Sequence, residues 1–151
     1  MAVENTLHFQ RATLVVADLE RALRLYRDIL GFTVEYILGG DAVAYSRQVF
    51  DLPAGAVVRL CTLNAPGQPR TLALVEASGV ALPPSVGVRR SAAVLRVADF
   101  DSVLAGAAAL PDVQVIAEHP LRTHDGRIGR EAGIVDADGN LVVIYSIPMA
   151  P

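Results

Sequence analysis

Three arginines lie in short apolar stretches whose residues alternate as they do in β-strands. In RATLVV every second residue from Ala12 to Val16 shares one face, which leaves Arg11, Thr13 and Val15 on the other. In AAVLRV the same alternation leaves Arg96 opposite the packed residues. In AVVRLC we expect Arg59 to lie opposite the packed valine and leucine. Guanidinium groups hold carboxylate or phosphate oxygens through two parallel hydrogen bonds. The pattern therefore predicts a face that attracts a small anion or an enolate oxygen.

The same arginines have a simpler interpretation. An arginine on a strand is often an edge residue that pairs with a nearby acid, and the acids available to these strands are Glu35, Glu76 and Glu131. The sequence leaves both interpretations open.

Two histidines bracket the polar stretch EHPLRTHDGR, where we expect a loop over residues 119–127. His119 or His124 near Glu131 or Asp125 could act as a general acid or base close to neutral pH. The alternative is that both are solvated loop residues. His8 precedes the first strand and is expected at the surface, and nothing in the spacing of the histidines predicts a metal site.

A unit that occurs twice carries these residues. TLVVADLERAL begins at Thr13 and is echoed by VLRVADFDSVL from Val94, so that Asp18 and Asp99 correspond. The match continues without a gap to Val34 in the first copy, which indicates duplication. Each copy is typical of a strand, an aspartate that caps a helix, the helix itself, and three further strands.

The repeat predicts an α+β fold of two tandem βαβββ modules within a single domain that covers residues 1–151. The modules are expected at about 7–79 and 88–148, with a linker at about 80–87 in the segment VALPPSVGVRR. In the first module a short helix is expected at 41–51, with Val43, Val49 and Phe50 inward, and a loop at NAPGQPR. The sequence DADGN predicts a tight turn between the last two strands.

Composition excludes several classes of function. The 151 residues are 52% hydrophobic with a net charge of −3, and no basic run supports a nucleic-acid partner. No apolar run reaches the roughly 18 residues of a membrane span, and the first residues lack the pattern of a signal peptide. Cys61 is the only cysteine, which rules out an internal disulfide and favours a reducing compartment. We therefore expect a cytoplasmic protein with no membrane partner.

The segments LVVADLERALRLYRDILGF at 14–32 and REAGIVDADGNLVVIY at 130–145 resemble the vicinal oxygen chelate superfamily. This superfamily includes glyoxalase I, bleomycin-resistance proteins, methylmalonyl-CoA epimerase and extradiol dioxygenases. Together with the repeat, the resemblance covers nearly the whole chain. It implies an open, curled sheet built from paired modules around a pocket, the glyoxalase-like fold, with a small-molecule ligand and commonly in a homodimer.

Metal-dependent members of that superfamily take their ligands from four equivalent strand positions. These are a His or Gln early in the first strand of each module and a Glu in the last. By the resemblance the four positions fall on Arg11, Ala73, Ala92 and Val143, with Glu76 as an alternative to Ala73. Arginine is cationic, and alanine and valine have no side-chain donor atoms, so we expect neither a metal nor another cofactor.

In the last strand Tyr145 shares the side of Val143, where it faces the ligand or serves as a core aromatic residue. The residues predicted to line the ligand site are Arg11, Thr13, Arg59, Ala73, Ala92, Arg96, Val143 and Tyr145. The candidates for catalysis are Arg11, His119, His124, Glu131 and Tyr145.

Two classes of function follow from these residues. The first is a metal-independent binding protein of the bleomycin-resistance type, holding a small anionic or oxygenated organic molecule. The second is a cofactor-independent lyase, isomerase or cyclase in which arginine stabilises an enolate or oxyanion. A metal-dependent glyoxalase or dioxygenase has the least support.

Overall fold

The computed structural model describes residues 6–148, and in it the chain forms two four-stranded mixed sheets. The first sheet contains β1 (Ala12–Val16), β2 (Thr33–Gly39), β3 (Val57–Ala65) and β4 (Gln68–Ser78), in the order β1-β4-β3-β2. The second contains β5 (Ala93–Arg96), β6 (Gln114–Arg122), β7 (Ile128–Val135) and β8 (Leu141–Ser146), in the order β5-β8-β7-β6. In each sheet the first strand runs parallel to the last and the other neighbours are antiparallel. The predicted α+β class and the repeated βαβββ order are confirmed.

The three helices are short. The first, α1 (Leu19–Leu23), continues as a π-helical segment, Arg24–Ile29; a 3₁₀ turn, Gly40–Val43, precedes α2 (Ala44–Val49); and α3 spans Phe100–Ala109. Asp18 and Asp99 cap α1 and α3 as predicted, each accepting a hydrogen bond from the backbone N–H three residues later. Within residues 6–148 no helix is both long and apolar enough to cross a membrane.

The π-helical segment changes which residues of the first helix are buried. Its widened turn is seen in the 2.9 Å hydrogen bond from Leu30 N to Leu25 O, which spans five residues. Leu25 and Tyr26 are consequently both buried, at 1% and 0% exposure. A regular helical period counted from Leu19 places Tyr26 on the buried face but does not place Leu25 there.

Each sheet has two faces with different surroundings. The inner faces of both sheets pack against α1 and α3 in one hydrophobic core, which includes Leu74, Ile144 and Phe100. We call the opposite face of each sheet its outer face. On the first sheet a second cluster covers part of the outer face, with Val43, Phe50 and Leu52 against the strands. Val49 was predicted to point inward and is 54% exposed, so that expectation is wrong.

Two predicted loops are shorter than expected because the strands run further. Strand β6 extends to Arg122, so residue 119 belongs to a strand and not to a loop. In NAPGQPR the strands reach Ala65 and Gln68, leaving a turn of Pro66 and Gly67, where Gly67 has a φ of 71°. Proline followed by a glycine with positive φ is typical of a type II turn.

The turn between β7 and β8, residues 136–140, joins the two modules. Its predicted tight geometry is present, with Gly139 at a φ of 87°. Hydrogen bonds between this turn and the first module connect Tyr26 Oη to Asp136 Oδ2 (2.8 Å), Ala17 N to Asp138 Oδ1 (3.0 Å) and Asn140 Nδ2 to Val15 O (2.9 Å).

Candidate functional site

Four polar side chains form a line across the outer face of the second sheet. Neighbouring residues of β8 alternate between the core and this face, and Val142 and Ile144 are the buried ones. Adjacent strands lie about 4.8 Å apart, so a line from β5 to β6 spans about 14 Å. The strand register places in this line, which we call the polar row, Arg96, Tyr145, Glu131 and His119.

At one end of the polar row His119 and Glu131 form a hydrogen-bonded pair. His119 Nε2 lies 3.0 Å from Glu131 Oε1, while His119 Nδ1 lies 2.9 Å from the carbonyl oxygen of Pro120. A carbonyl oxygen only accepts, so Nδ1 must carry a hydrogen. The imidazole therefore bridges the backbone carbonyl of Pro120 and the carboxylate of Glu131.

At the other end Arg96 is exposed and its charge is not neutralised by any carboxylate of residues 6–148. Arg130 on the same sheet is a contrast, since it forms ion pairs with Glu118 and Asp101 and stacks over Phe100. These ion pairs raise the pKa of Arg130 and lower those of the two acids. Arg96 is thus free to hold an anion on the outer face of this sheet.

Beside the polar row runs a line of small and apolar residues. Val94 is 62% exposed and Ile116 is 38% exposed, so this line offers apolar surface to a ligand. At Gly133 a Cβ atom would lie 2.9 Å from Ile116 Cδ1, so a larger residue there would displace that side chain. The register places in this line, which we call the apolar strip, Val94, Val143, Gly133 and Ile116.

Arg59 was predicted to share a face with Arg11 and Thr13, and this is wrong. It lies on the inner face of the first sheet, where its Nε donates to Glu76 Oε1 at 2.8 Å and its Nη2 to Oε2 at 3.1 Å. Glu76 also accepts a 2.6 Å hydrogen bond from Leu19 N at the start of α1. The hydrogen bond from Arg59 lowers the pKa of Glu76 against the opposing effect of burial.

The error arose because both faces of β3 are apolar. Val58 and Leu60 face the cluster around α2, while Cys61 and Leu63 face the main core, so alternation alone does not say which pair lies beside the helices. Pairing with Glu76 was the alternative that the sequence left open for Arg59.

Arg11 stands apart from the polar row. It immediately precedes β1, on the first sheet, and its Nη1 donates to the carbonyl oxygen of Arg70 at 3.2 Å. Thr13 is half-buried and Ala73, beside it, is fully buried. The predicted ligand residues are therefore divided between two sheets: Arg96, Val143 and Tyr145 lie together, with exposed Ala92 just before β5, and the others lie elsewhere.

The strand register also relates the metal positions that the resemblance implies. Thr13 pairs with Ala73 in the first module as Val94 pairs with Val143 in the second, so Ala73 and Val143 are equivalent. Glu76, the alternative to Ala73, points to the inner face, where Arg59 holds it. The side chains present at these positions do not fit a metal ion, and residues 6–148 contain no group of three or more His, Cys, Asp or Glu residues placed to bind one.

Of the remaining candidates, His124 lies exposed in the loop between β6 and β7 and His8 lies exposed before β1. Every member of the polar row is a candidate site residue in the sequence, but the sequence does not place the four in one line. The pairing of Tyr145 with Glu131 could have been found from the sequence, because counting residues outwards along both strands from the turn that contains Gly139 brings these two opposite each other.

A separate cleft of about 880 Å³ lies where the turn at 136–140, the segment at 50–53 and the linker meet. Its buried acid Asp136 already accepts hydrogen bonds from Tyr26 and Asn140, and Asp138 from Ala17. These carboxylates serve the junction of the modules, whereas the polar groups of the polar row are open to a ligand.

Comparison with known proteins agrees with this architecture. The model of the Glyoxalase/Bleomycin resistance protein/Dioxygenase superfamily matches residues 8–144. No curated protein sequence matches the chain significantly.

Solved structures share the fold at low sequence identity. A glyoxalase family protein from Bacillus cereus has a TM-score of 0.72 at 15% identity, covering 99% of each chain. The trypanothione-dependent glyoxalase I of Leishmania major has a TM-score of 0.61 at 16% identity, covering 93% of this chain and 87% of its own. The fosfomycin resistance protein FosX of Listeria monocytogenes, solved with Mn(II) and sulfate, has a TM-score of 0.53 at 15% identity, covering 95% and 93%.

Proposed function

Since this chain belongs to the Glyoxalase/Bleomycin resistance protein/Dioxygenase superfamily, we propose that it is a metal-independent binding protein of the bleomycin-resistance type, and that its own ligand is a small anionic or oxygenated organic molecule. The observation that carries the proposal is the exposed and unneutralised Arg96, which the strand register places beside Tyr145 on the outer face of the second sheet. An arginine without a carboxylate partner can give both of its parallel N–H donors to an incoming carboxylate or phosphate.

Metal independence is supported by the donor chemistry of this chain. Arg11, Ala73, Ala92 and Val143 offer no atom that binds a divalent cation, and Glu76 is engaged by Arg59 on the other face. Affinity for the ligand then has to come from Arg96, from hydrogen bonds and from apolar contact.

The composition favours a small ligand over a large flat one. Aromatic residues make up 5% of the chain and tryptophan is absent, so few side chains are available for stacking. The apolar strip suits a short aliphatic body, and the polar row suits an oxygen-rich edge.

A second function, that of a cofactor-independent lyase, isomerase or cyclase, is favoured by the His119–Glu131 pair. A hydrogen-bonded imidazole and carboxylate can move a proton within reach of a bound ligand. Arg11 was a candidate for stabilising an oxyanion, but it lies on the other sheet. In this function Arg96 would stabilise the oxyanion instead.

We also propose a homodimer in the cytoplasm. All seven residues of β2 are exposed, and Val34, Tyr36, Ile37 and Leu38 make this edge strand apolar. An apolar strand at a sheet edge favours pairing with another chain. Light scattering during size-exclusion chromatography should give about twice the chain mass, whereas the monomer mass at micromolar concentration would contradict this.

The binding proposal is tested by NMR titration of the ¹⁵N-labelled protein with butyrate and with 2-oxobutyrate, both in the presence of EDTA. Shifts should concentrate at the polar row, and Arg96→Ala should weaken binding at least about tenfold, the effect of losing a charge-assisted hydrogen bond. Arg24→Ala, which removes an exposed arginine of the π-helical segment, is the matched control and should leave the affinity unchanged. Binding that EDTA abolishes, or that Arg96→Ala leaves intact, would contradict the proposal.

A further inference from the structure

We infer that the His119–Glu131 pair moves a proton on the bound ligand, and that this ligand is a 2-oxo carboxylate with a hydrogen on the carbon next to its carbonyl group. The inference rests on the proposed function, because it assigns a reaction and a substrate class to the same site.

The geometry of the pair leaves one oxygen of Glu131 free to act as a base. His119 Nδ1 lies at the Pro120 carbonyl oxygen and its Nε2 at Glu131 Oε1, so the imidazole holds the carboxylate in position on the sheet. Glu131 gives one oxygen, Oε1, to the histidine and keeps Oε2 for another partner. Since the Glu131 side chain is 26% exposed, Oε2 is able to receive a proton from a ligand above the sheet.

The order of the side chains in the polar row selects the ligand. Arg96 lies two strands from Glu131, or about 10 Å between backbones, with Tyr145 between them. When the carboxylate of the ligand binds Arg96 and its carbonyl oxygen accepts from the Tyr145 hydroxyl, the next carbon of the ligand faces Glu131. A 2-oxo acid has its carboxylate, carbonyl and acidic C–H groups in this order along three consecutive carbons.

The apolar strip accounts for the remainder of the molecule. Val94 and Ile116 border the polar row on one side and expose apolar surface, so an alkyl chain beyond the acidic carbon can lie there. Gly133 and Val143 lie between these two residues and project little above the sheet, so they leave room for the ligand. A short branched or unbranched alkyl group therefore suits the site.

The reaction is a reversible proton transfer that needs no oxidant or reductant. Glu131 Oε2 takes the proton from C3, the electrons of the C3–H bond form the C2–C3 double bond, and the carbonyl π electrons move to the C2 oxygen. Tyr145 donates a hydrogen bond to that oxygen, and Arg96 holds the carboxylate. The Glu131 carboxyl exchanges its proton with solvent before it returns one to C3 and restores the keto acid. The cycle is therefore a keto–enolate interconversion that exchanges the C3 hydrogen with solvent.

The test follows the ¹H NMR signal of the C3 hydrogens of 2-oxobutyrate in D₂O with EDTA, with and without the intact protein. The signal should decay faster with protein than in buffer. Glu131→Gln should slow the protein-dependent exchange at least about 100-fold, in the range expected for a general base, while binding of 2-oxobutyrate persists. His119→Gln should slow the exchange as well. Glu118→Gln is the matched control, because Glu118 lies in the same strand as His119 but is paired with Arg130, and it should have no effect.

The outcomes separate this inference from the proposed function. Binding of 2-oxobutyrate with exchange no faster than in buffer overturns the inference and leaves the binding function intact. Binding of butyrate without binding of 2-oxobutyrate also overturns the inference, because the site would then not accept the carbonyl oxygen beside Tyr145. Failure of both acids to bind overturns the inference and the proposed function together. If Glu131→Gln exchanges the C3 hydrogen as fast as the wild-type protein, Glu131 is not the base and the inference is overturned.

Discussion

Tyr26 and Asp136 are 110 positions apart, and a buried 2.8 Å hydrogen bond between their side chains joins the first helix to the last turn. Tyr26 is fully buried, and burial together with the neighbouring carboxylate raises its pKa far above the ordinary value. Asp136 also accepts from the backbone N–H groups of Asp138 and Asn140. One carboxylate thus organises the turn and fixes it to the other module.

We expect Tyr26→Phe to lower the free energy of unfolding by about 1–3 kcal/mol, because Asp136 loses a buried donor while the ring volume is kept. Urea denaturation followed by circular dichroism measures the change. Tyr45→Phe is the matched control, since Tyr45 is 74% exposed and its hydroxyl faces solvent. Equal stability of the two variants would show that the bond to Asp136 contributes nothing.

Acid should weaken the contact between β4 and the start of α1. The hydrogen bond from Arg59 lowers the pKa of Glu76 below its ordinary value of 4.5, with a further contribution from Leu19 N. A carboxyl group whose pKa is lower in the folded state stabilises the fold above its unfolded pKa and loses that effect as pH falls through the folded value. Unfolding measured from pH 6 to pH 2 should show this loss below about pH 4.5, and Glu76→Gln should flatten part of the slope.

Glu20→Gln provides the comparison for that measurement. Glu20 lies on the exposed side of α1, so its variant should keep the wild-type dependence on pH. A Glu76→Gln protein with an unchanged acid slope would contradict the assigned role of the Arg59–Glu76 pair.

Gly139 should tolerate a side chain less well than Gly126, although both have a positive φ, 87° and 85°. At Gly126 nothing lies within 4 Å of a new Cβ, so Gly126→Ala carries only the backbone strain, about 1–2 kcal/mol. At Gly139 the new Cβ would lie 2.4 Å from Ser85 Cβ in the linker, and overpacking adds about 1–3 kcal/mol. Thermal unfolding of the two variants measures the difference, and Ser85→Gly should recover part of the loss in Gly139→Ala.

Metal analysis bears on the ligand positions directly. Plasma mass spectrometry of protein purified without chelator or affinity tag should find well under one equivalent of zinc, nickel, manganese or iron per chain. The reason is that Arg11, Ala73, Ala92 and Val143 lack metal-binding atoms. About one equivalent of a single metal would contradict the assignment of these four residues to the metal-ligand positions of the superfamily. Native mass spectrometry of the same sample would reveal an organic molecule retained from the cell.

The repeat, the caps Asp18 and Asp99, and the strand–helix order were predictable because each depends on residues close together in sequence. The side of a strand was predictable where a polar residue marks one face, as Thr13 does in β1. Where both faces are apolar, as around Arg59, the pattern has no preferred side, and the inner face became clear only from the packing of Cys61 and Leu63 in the core.

His119 illustrates a second limit. A register shift between Ile116 and His119 marks a β-bulge, which changes the alternation of sides along β6. Strict alternation from Ile116 would have put His119 on the face opposite Glu131. The polar row therefore exists because of an irregularity that the apolar pattern of VQVIAE does not encode.

The cluster of Val43, Phe50 and Leu52 makes the outer faces of the two sheets differ in their tolerance to substitution. It covers part of the outer face of the first sheet, so substitutions there act on the fold, while Val94 and Arg96 are exposed on the outer face of the second. Engineering of this protein toward a new ligand should therefore begin with the second module.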